Sequence, residues 1–240
     1  MKTRGITGML TRVGSNVARR WALVQDAVGR VLSQPVSRLV ADKPRIPVEV
    51  ADRWDIPESD RVALREWGLP QMQTFTPHYA GTFPTLLPNR AGKHERRLVK
   101  DGQQLYDLGH WGTDPSSCVA GVVPGEGRVL CLLPAPITVD DLPEVLRPYN
   151  LGLRKPAVSF FSSSVAQYVE TACRWHAALQ ILQQIEEPEF LTGEAEYVRH
   201  HDRLYSLVEL VVDAVGRIDP AANAEHQTSV WIELIRQNSV

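Results

Sequence analysis

Seven histidines and three cysteines are the residues best suited to hold a metal or move a proton, and their spacing removes most such chemistry. His94-Glu95 has the first two positions of a zinc-protease helix, but the next histidine of that motif would fall at position 98, where Leu98 stands. His200 and His201 are adjacent, so on a helix their side chains diverge by about 100° and do not converge on one ion. The apolar periodicity puts His201 at the edge of the buried face and His200 in solvent. Cys118, Cys131 and Cys173 contain no Cys-x-x-Cys pair. Their odd number and wide spacing read as reduced thiols of a cytosolic protein, not as a disulfide framework.

Phosphate and nucleophile motifs fail in the same way. Gly125-Glu126-Gly127 opens like a dinucleotide loop, yet Leu130 replaces the third glycine and a strand follows instead of a helix. Neither Gly-Lys-Ser/Thr nor Gly-x-Ser-x-Gly occurs. Ser162, Ser163 and Ser164 lie at a strand-to-helix turn where a nucleophile could sit, but capping explains them better. Asp140-Asp141 before Leu142-Pro143 starts a turn or short helix more readily than it supplies paired catalytic carboxylates. No catalytic, cofactor-binding or metal-ligating residue is assigned. The expectation is a protein without enzymatic activity and without a cofactor.

The elements that hold these residues are easier to read. Val158–Phe161 is a short apolar run of buried-strand length. Ser164 stands three residues before Gln167, the capping-box spacing. From there Val165, Tyr168, Val169, Ala172, Trp175, Leu179 and Leu182 mark one face of a helix. Upstream, Cys118–Leu133 carries two β-rich runs around Pro124-Gly125-Glu126-Gly127, a hairpin with both cysteines as small buried side chains on neighbouring strands. Gln104–Trp111 is the first firm strand. A short helix containing Val62, Leu64 and Trp67, capped by Ser59 or Asp60, stops at Gly68-Leu69-Pro70. Pro77, Pro84 and Pro88 restrict any strand in 71–90 to a short or edge position. Arg90, Lys93, Arg96, Arg97 and Lys100 form a solvated turn. After Pro188 a helix runs from about Gly193 with Tyr197, His201, Leu204, Leu207 or Val208, Val211 and Val215 facing inward. Asp219-Pro220 is a cap with proline at the first helical position, and a last helix carries Val230, Trp231, Leu234 and Ile235. The fold class is α+β: an antiparallel sheet with a hairpin in the middle of the chain, flanking helices and a helical C-terminal third.

Charge separates the ends of the chain. Residues 1–45 carry nine Lys or Arg against Asp26 and Asp42, whereas the remainder holds 17 basic and 26 acidic residues, a net of −9. Within the basic arm Leu10, Val17, Val24 and Val31 recur every seven residues, widened by Val13, Trp21, Val28 and Leu32 into the stripe of an amphipathic helix ending before Pro35. Such a helix can lie on an anionic membrane or on nucleic acid, can be a targeting segment, or can pack on the body or a neighbouring subunit. Arg19-Arg20 is not a twin-arginine export signal, because Gln25 and Asp26 interrupt the apolar residues behind it. Residues 41–58, with Pro44, Pro47 and Pro57, read as a linker. No apolar run approaches the roughly 20 residues that cross a bilayer.

Phe160-Phe161-Ser162-Ser163-Ser164-Val165-Ala166-Gln167-Tyr168 resembles the SUKH superfamily, specifically the bacterial immunity proteins of its fourth subgroup. That pattern is a hydrophobic strand, Asn-Ser-Ser, a hydrophobic residue, then an acidic residue or Gln and an aromatic. Ser162 stands where Asn is usual. Leu64 to Gly68-Leu69-Pro70, Leu108-Gly109, Gly127-Arg128-Val129, Asp219-Pro220-Ala221 and Trp231 fit as well, over about residues 56–238. The resemblance implies a Smi/Knr-like α+β domain, here residues 46–240 behind a helical arm of residues 1–45. It implies a cytoplasmic protein that binds and neutralises a cognate protein toxin, often a nuclease or deaminase, with no catalysis and no small-molecule substrate. An acidic body suits such a partner, since toxins acting on nucleic acid carry basic clefts. The alternative is an adaptor whose arm docks on membrane, nucleic acid or a partner while the body recruits a protein. The oligomeric state is not assigned.

Overall fold

Proline governs the first edge of the sheet. In the computed structural model, which describes residues 6–40, 46, 48–79, 81–112, 118–185, 194–223 and 229–239, Pro77 and Pro84 end two strands of three residues each, β1 (Phe75–Pro77) and β2 (Thr82–Pro84). Both pair with the same longer strand, β3 (Gln104–Trp111), through Phe75↔Trp111 and Thr82↔Tyr106. Lacking an N–H, proline ends pairing where it stands, which is why this edge is short. The sheet continues through β4 (Cys118–Val122) and β5 (Val129–Leu132). It skips a small separate ribbon of β6 (Ile137–Thr138) and β7 (Arg154–Lys155) and closes on β8 (Val158–Ser162). The strand order is β1-β3-β4-β5-β8, antiparallel throughout.

The hairpin forms as expected. Gly125 and Gly127 both have positive φ, 79° and 74°, and the Val123 N–H donates to Arg128 O at 2.9 Å. A side chain at Gly127 would also collide with the Asp60 carboxylate. The hairpin register sets Cys118 and Cys131 5.8 Å apart at Cα, within disulfide range, and the two are bonded. This corrects the expectation of three reduced thiols. An odd count left one residue over, Cys173, which is buried as a thiol donating to Gly68 O at 3.7 Å.

Helices cover one face of the sheet: α1 (Ile6–Ser33), α2 (Val48–Arg53), α3 (Glu58–Glu66), α5 (Val165–Leu182), α6 (Glu194–Ile218) and α7 (Val230–Asn238). The remaining helix, α4 (Lys93–Leu98), lies on the other face over a small cluster of Val99, Leu105, Val123, Leu130, Leu132 and Val158. Of the residues read as a solvated basic turn, Lys93, Arg96 and Arg97 are thus helical, while Arg90 sits in the turn before the helix and Lys100 just beyond its end. Glu95 is buried there with Oε2 on the Gly92 N–H at 2.8 Å, because the helix turns that one side chain inward while its arginines face water.

Trp21, Val24, Val28, Val31 and Leu32 of α1 pack against the main core, with Val28 fully buried. The Arg174 guanidinium donates to Leu32 O at 2.7 Å and Gln34 O at 2.9 Å, placing a cation on the carbonyl end of α1. The side chains of Leu10, Val13 and Val17 lie outside the described residues, as do Pro44, Pro47, Pro188 and Gly193.

In α6 the buried face is Leu207, Val208, Val211, Val212, Ala214 and Val215, and Tyr197 is exposed. His200, expected in solvent, is buried with its ring edge-on to Trp21 at 5.3 Å. His201 lies against exposed Tyr197. The packing of α1 rotated the buried face by one position at this end, which the periodicity of α6 alone does not contain.

Candidate functional site

The turn from β8 into α5 carries the three serines singled out by sequence, and each is committed to a structural bond. Ser162 Oγ accepts from Trp231 Nε1 at 3.1 Å. The Ser163 N–H and Oγ–H donate to the two oxygens of Asp219 at 2.6 and 2.8 Å. Ser164 Oγ accepts from the Gln167 N–H at 3.2 Å, the expected cap. The Gln167 side chain does not reach back to the cap N–H as a full capping box requires. Its Nε2 donates instead to Ile218 O at 2.9 Å, tying the start of α5 to the end of α6. A nucleophilic serine needs a base between its hydroxyl and the orienting carboxylate. Ser163 bonds that carboxylate directly.

Asp219 caps the following 3-10 turn through the Ala221 N–H at 3.2 Å, so one carboxylate serves two chain segments. Asp60 makes a similar crossing. Its helix begins after Pro57, so neither Ser59 nor Asp60 is the cap. Asp60 Oδ1 accepts from the Ala166 N–H at 2.9 Å, in the first turn of α5. Burial pushes its carboxyl above the ordinary value, against the pull of the Ala166 and Val165 N–H groups. Around this network Trp111, Phe161, Tyr168, Trp175 and Trp231 stack at ring centroid separations from 4.7 to 6.1 Å. Burial drives the Tyr168 phenol far above its usual value and Tyr79 up to about 12, so neither exchanges a proton near neutral pH. The junction holds the fold together and offers no reactive group.

Two other places do face solvent. At the β1–β3 edge, His78 Nδ1 lies 2.7 Å from Asp107 Oδ2, and His110 Nε2 lies 3.7 Å from the same oxygen. The spacing of these residues does not reveal the group, because His78 lies just beyond β1, far from β3 in sequence, and Asp107 and His110 stand at positions of opposite parity within β3. A glycine inside a strand pattern, Gly109, was the one available signal of a bulge.

The second place is the loop between β6 and β7. Its base is tied down. Thr138 and Asp141 bond each other, Lys155 pairs with Glu233 of α7, and Arg147 donates to Leu142 O at 3.0 Å and Asp140 O at 3.1 Å. Asp140-Asp141 therefore start a short turn, as the sequence suggested. Beyond that frame Val145, Leu146, Tyr149 and Leu151 are exposed, Tyr149 to 86%. This is the largest gathering of exposed large apolar side chains among the described residues close together in sequence.

Among the described residues no helix is long and apolar enough to cross a membrane. The pattern of the SUKH-4 immunity protein family matches residues 33–237. No curated protein and no solved structure matches the chain.

Proposed function

The chain belongs to the SUKH-4 immunity protein family, and on that premise we propose that it is a non-enzymatic protein that binds and neutralises a cognate bacterial toxin. The family match over most of the chain is the observation that carries this reading. The commitment of Ser162, Ser163 and Ser164 to capping and to Asp219 and Trp231 supports a structural role for the family's central pattern.

The docking face of this reading is the β6–β7 loop. Val145, Leu146, Tyr149 and Leu151 are presented on a hydrogen-bonded frame, so little loop entropy is lost on binding. Interfaces draw most of their affinity from a few such aromatic and aliphatic anchors. Exposed Asp140, Asp141 and Glu144 beside them, on a body of net charge −9, suit a toxin with a basic rim. The adaptor alternative has less support, because from Trp21 onward the apolar side of α1 is occupied by the core.

The test is a search of the genes flanking this one for a toxin, followed by co-expression of the two proteins. Survival of the host together with co-purification of the two proteins is expected, and Tyr149→Ala should weaken the complex by about 2 kcal/mol. Unrelieved toxicity with no complex would sink the reading. A complex untouched by Tyr149→Ala and Leu151→Ser would move the interface elsewhere.

A further inference from the structure

An antiparallel strand sends alternate side chains to opposite faces, so Asp107 and His110, three apart, should never meet. They do because β3 carries a bulge. Pairing with β4 runs Asp107↔Gly121 and then Gly109↔Ala120, leaving Leu108 extra. The extra residue resets the alternation and turns both side chains to the same face, with the Leu108 and Trp111 side chains in the main core. Gly109 makes this affordable. Its φ is 143°, and a Cβ there would collide with the Thr76 carbonyl oxygen. That close approach of β1 delivers His78, whose N–H bonds Leu108 O at 3.0 Å, to the same spot from across the strands.

We infer that His78, Asp107 and His110 form a binding site for a divalent first-row transition ion of the zinc class. One ligand atom from each lies within 4.8 Å of the other two. Two imidazoles and one carboxylate are the donor set such ions take, with further positions left to water or to a partner's side chain. The carboxylate is oriented in advance, since Asp107 Oδ1 accepts from the Gly109 N–H at 2.9 Å and Oδ2 faces the two rings. Holding a ligating carboxylate by a second hydrogen bond is the usual support of a metal site. Asp107 is nearly buried whereas both rings are half-exposed, so the anion is fixed and the imidazoles are free to close by small rotations onto an ion entering from solvent. Bound there, the ion would staple the His78 segment to β3 at the edge where β1 is only three residues long.

Tag-free, metal-stripped protein titrated with Zn²⁺ by calorimetry, and with Co²⁺ by its visible absorption, tests this. One equivalent of each is expected, with Zn²⁺ displacing Co²⁺ and raising the melting temperature. His78→Ala and His110→Ala should each weaken binding by about tenfold or more, and Asp107→Asn likewise while keeping an oxygen for Gly109. Because both rings are half-exposed, the histidine variants should melt like the parent in the absence of metal, which separates lost binding from lost folding. His94→Ala is the control and should bind normally. Absence of saturable binding, or binding that survives both His78→Ala and His110→Ala, would overturn the site. Toxin neutralisation is measured separately and does not depend on this outcome.

Discussion

Around Trp231 the molecule packs Trp111, Phe161, Tyr168 and Trp175 ring against ring, and each polar atom brought along is met by a partner: Trp231 Nε1 by Ser162, Trp111 Nε1 by Tyr168. Between β6 and β7 it holds Val145, Leu146, Tyr149 and Leu151 in water on a frame in which the Arg147 side chain bonds backbone carbonyls. Similar side chains serve opposite ends. Burying an aliphatic or aromatic side chain of this size contributes about 1.5–3 kcal/mol to folding. Leaving it exposed withholds that gain from the monomer and keeps it for whatever covers the loop. The core therefore should be intolerant of substitution with no direct effect on recognition, and the loop the reverse.

The most severe test of the buried side is removal of residues 1–33. It strips Val28 from the core, uncovers parts of α5 and α6 and leaves Arg174 without the carbonyls of Val31 and Leu32. Loss of a cooperative thermal transition is expected. A truncated chain that still melts cooperatively near the parent temperature would show that the arm is dispensable to the core.

Trp231→Ala comes next, costing about 3–5 kcal/mol in chemical denaturation, since the ring is fully buried among four others. Asp219→Ala should cost about 1–3 kcal/mol by orphaning the Ser163 and Ala221 N–H groups. If that variant were as stable as the parent, the link between β8 and the C-terminal segment would be ornamental. On the exposed side, Tyr149→Ser with Leu151→Ser should change stability by no more than about 0.5 kcal/mol while weakening the toxin complex. A large loss of stability would show that the loop belongs to the core.

The smallest effect is a pH dependence. The folded state raises the Asp60 carboxyl above its ordinary value through burial. It therefore holds the proton more firmly than the unfolded chain. The group's contribution is fully present at low pH and is lost as pH rises through the raised value. Asp60→Asn cannot titrate, so its stability relative to the parent should improve as pH rises across that acid interval and then level off. Parallel stability curves from denaturation in acid through neutral pH would contradict this.

Much that depended on neighbours in sequence was legible, although the short helix α4 and the start of α3 were not. The alternation and glycines around Gln104–Trp111 and Pro124–Gly127 gave β3 and the hairpin turn. The spacing from Ser164 to Leu182 gave α5 and its cap, and the same stretch carried the family likeness. These rest on local φ/ψ preferences and on periods of two or 3.6 residues, which a chain displays whatever it packs against. The tertiary structure decided what crosses the chain. Asp60 reaches Ala166 over 106 positions, and Ser163 reaches Asp219 over 56. Cys118 meets Cys131 by hairpin register, and His78 meets Asp107 and His110 by a bulge that reverses the parity of β3. Registers and bulges are chosen by the fit of whole faces, where a slip of one residue turns every side chain over, so the pairs they create leave no mark in the spacing of the residues that form them.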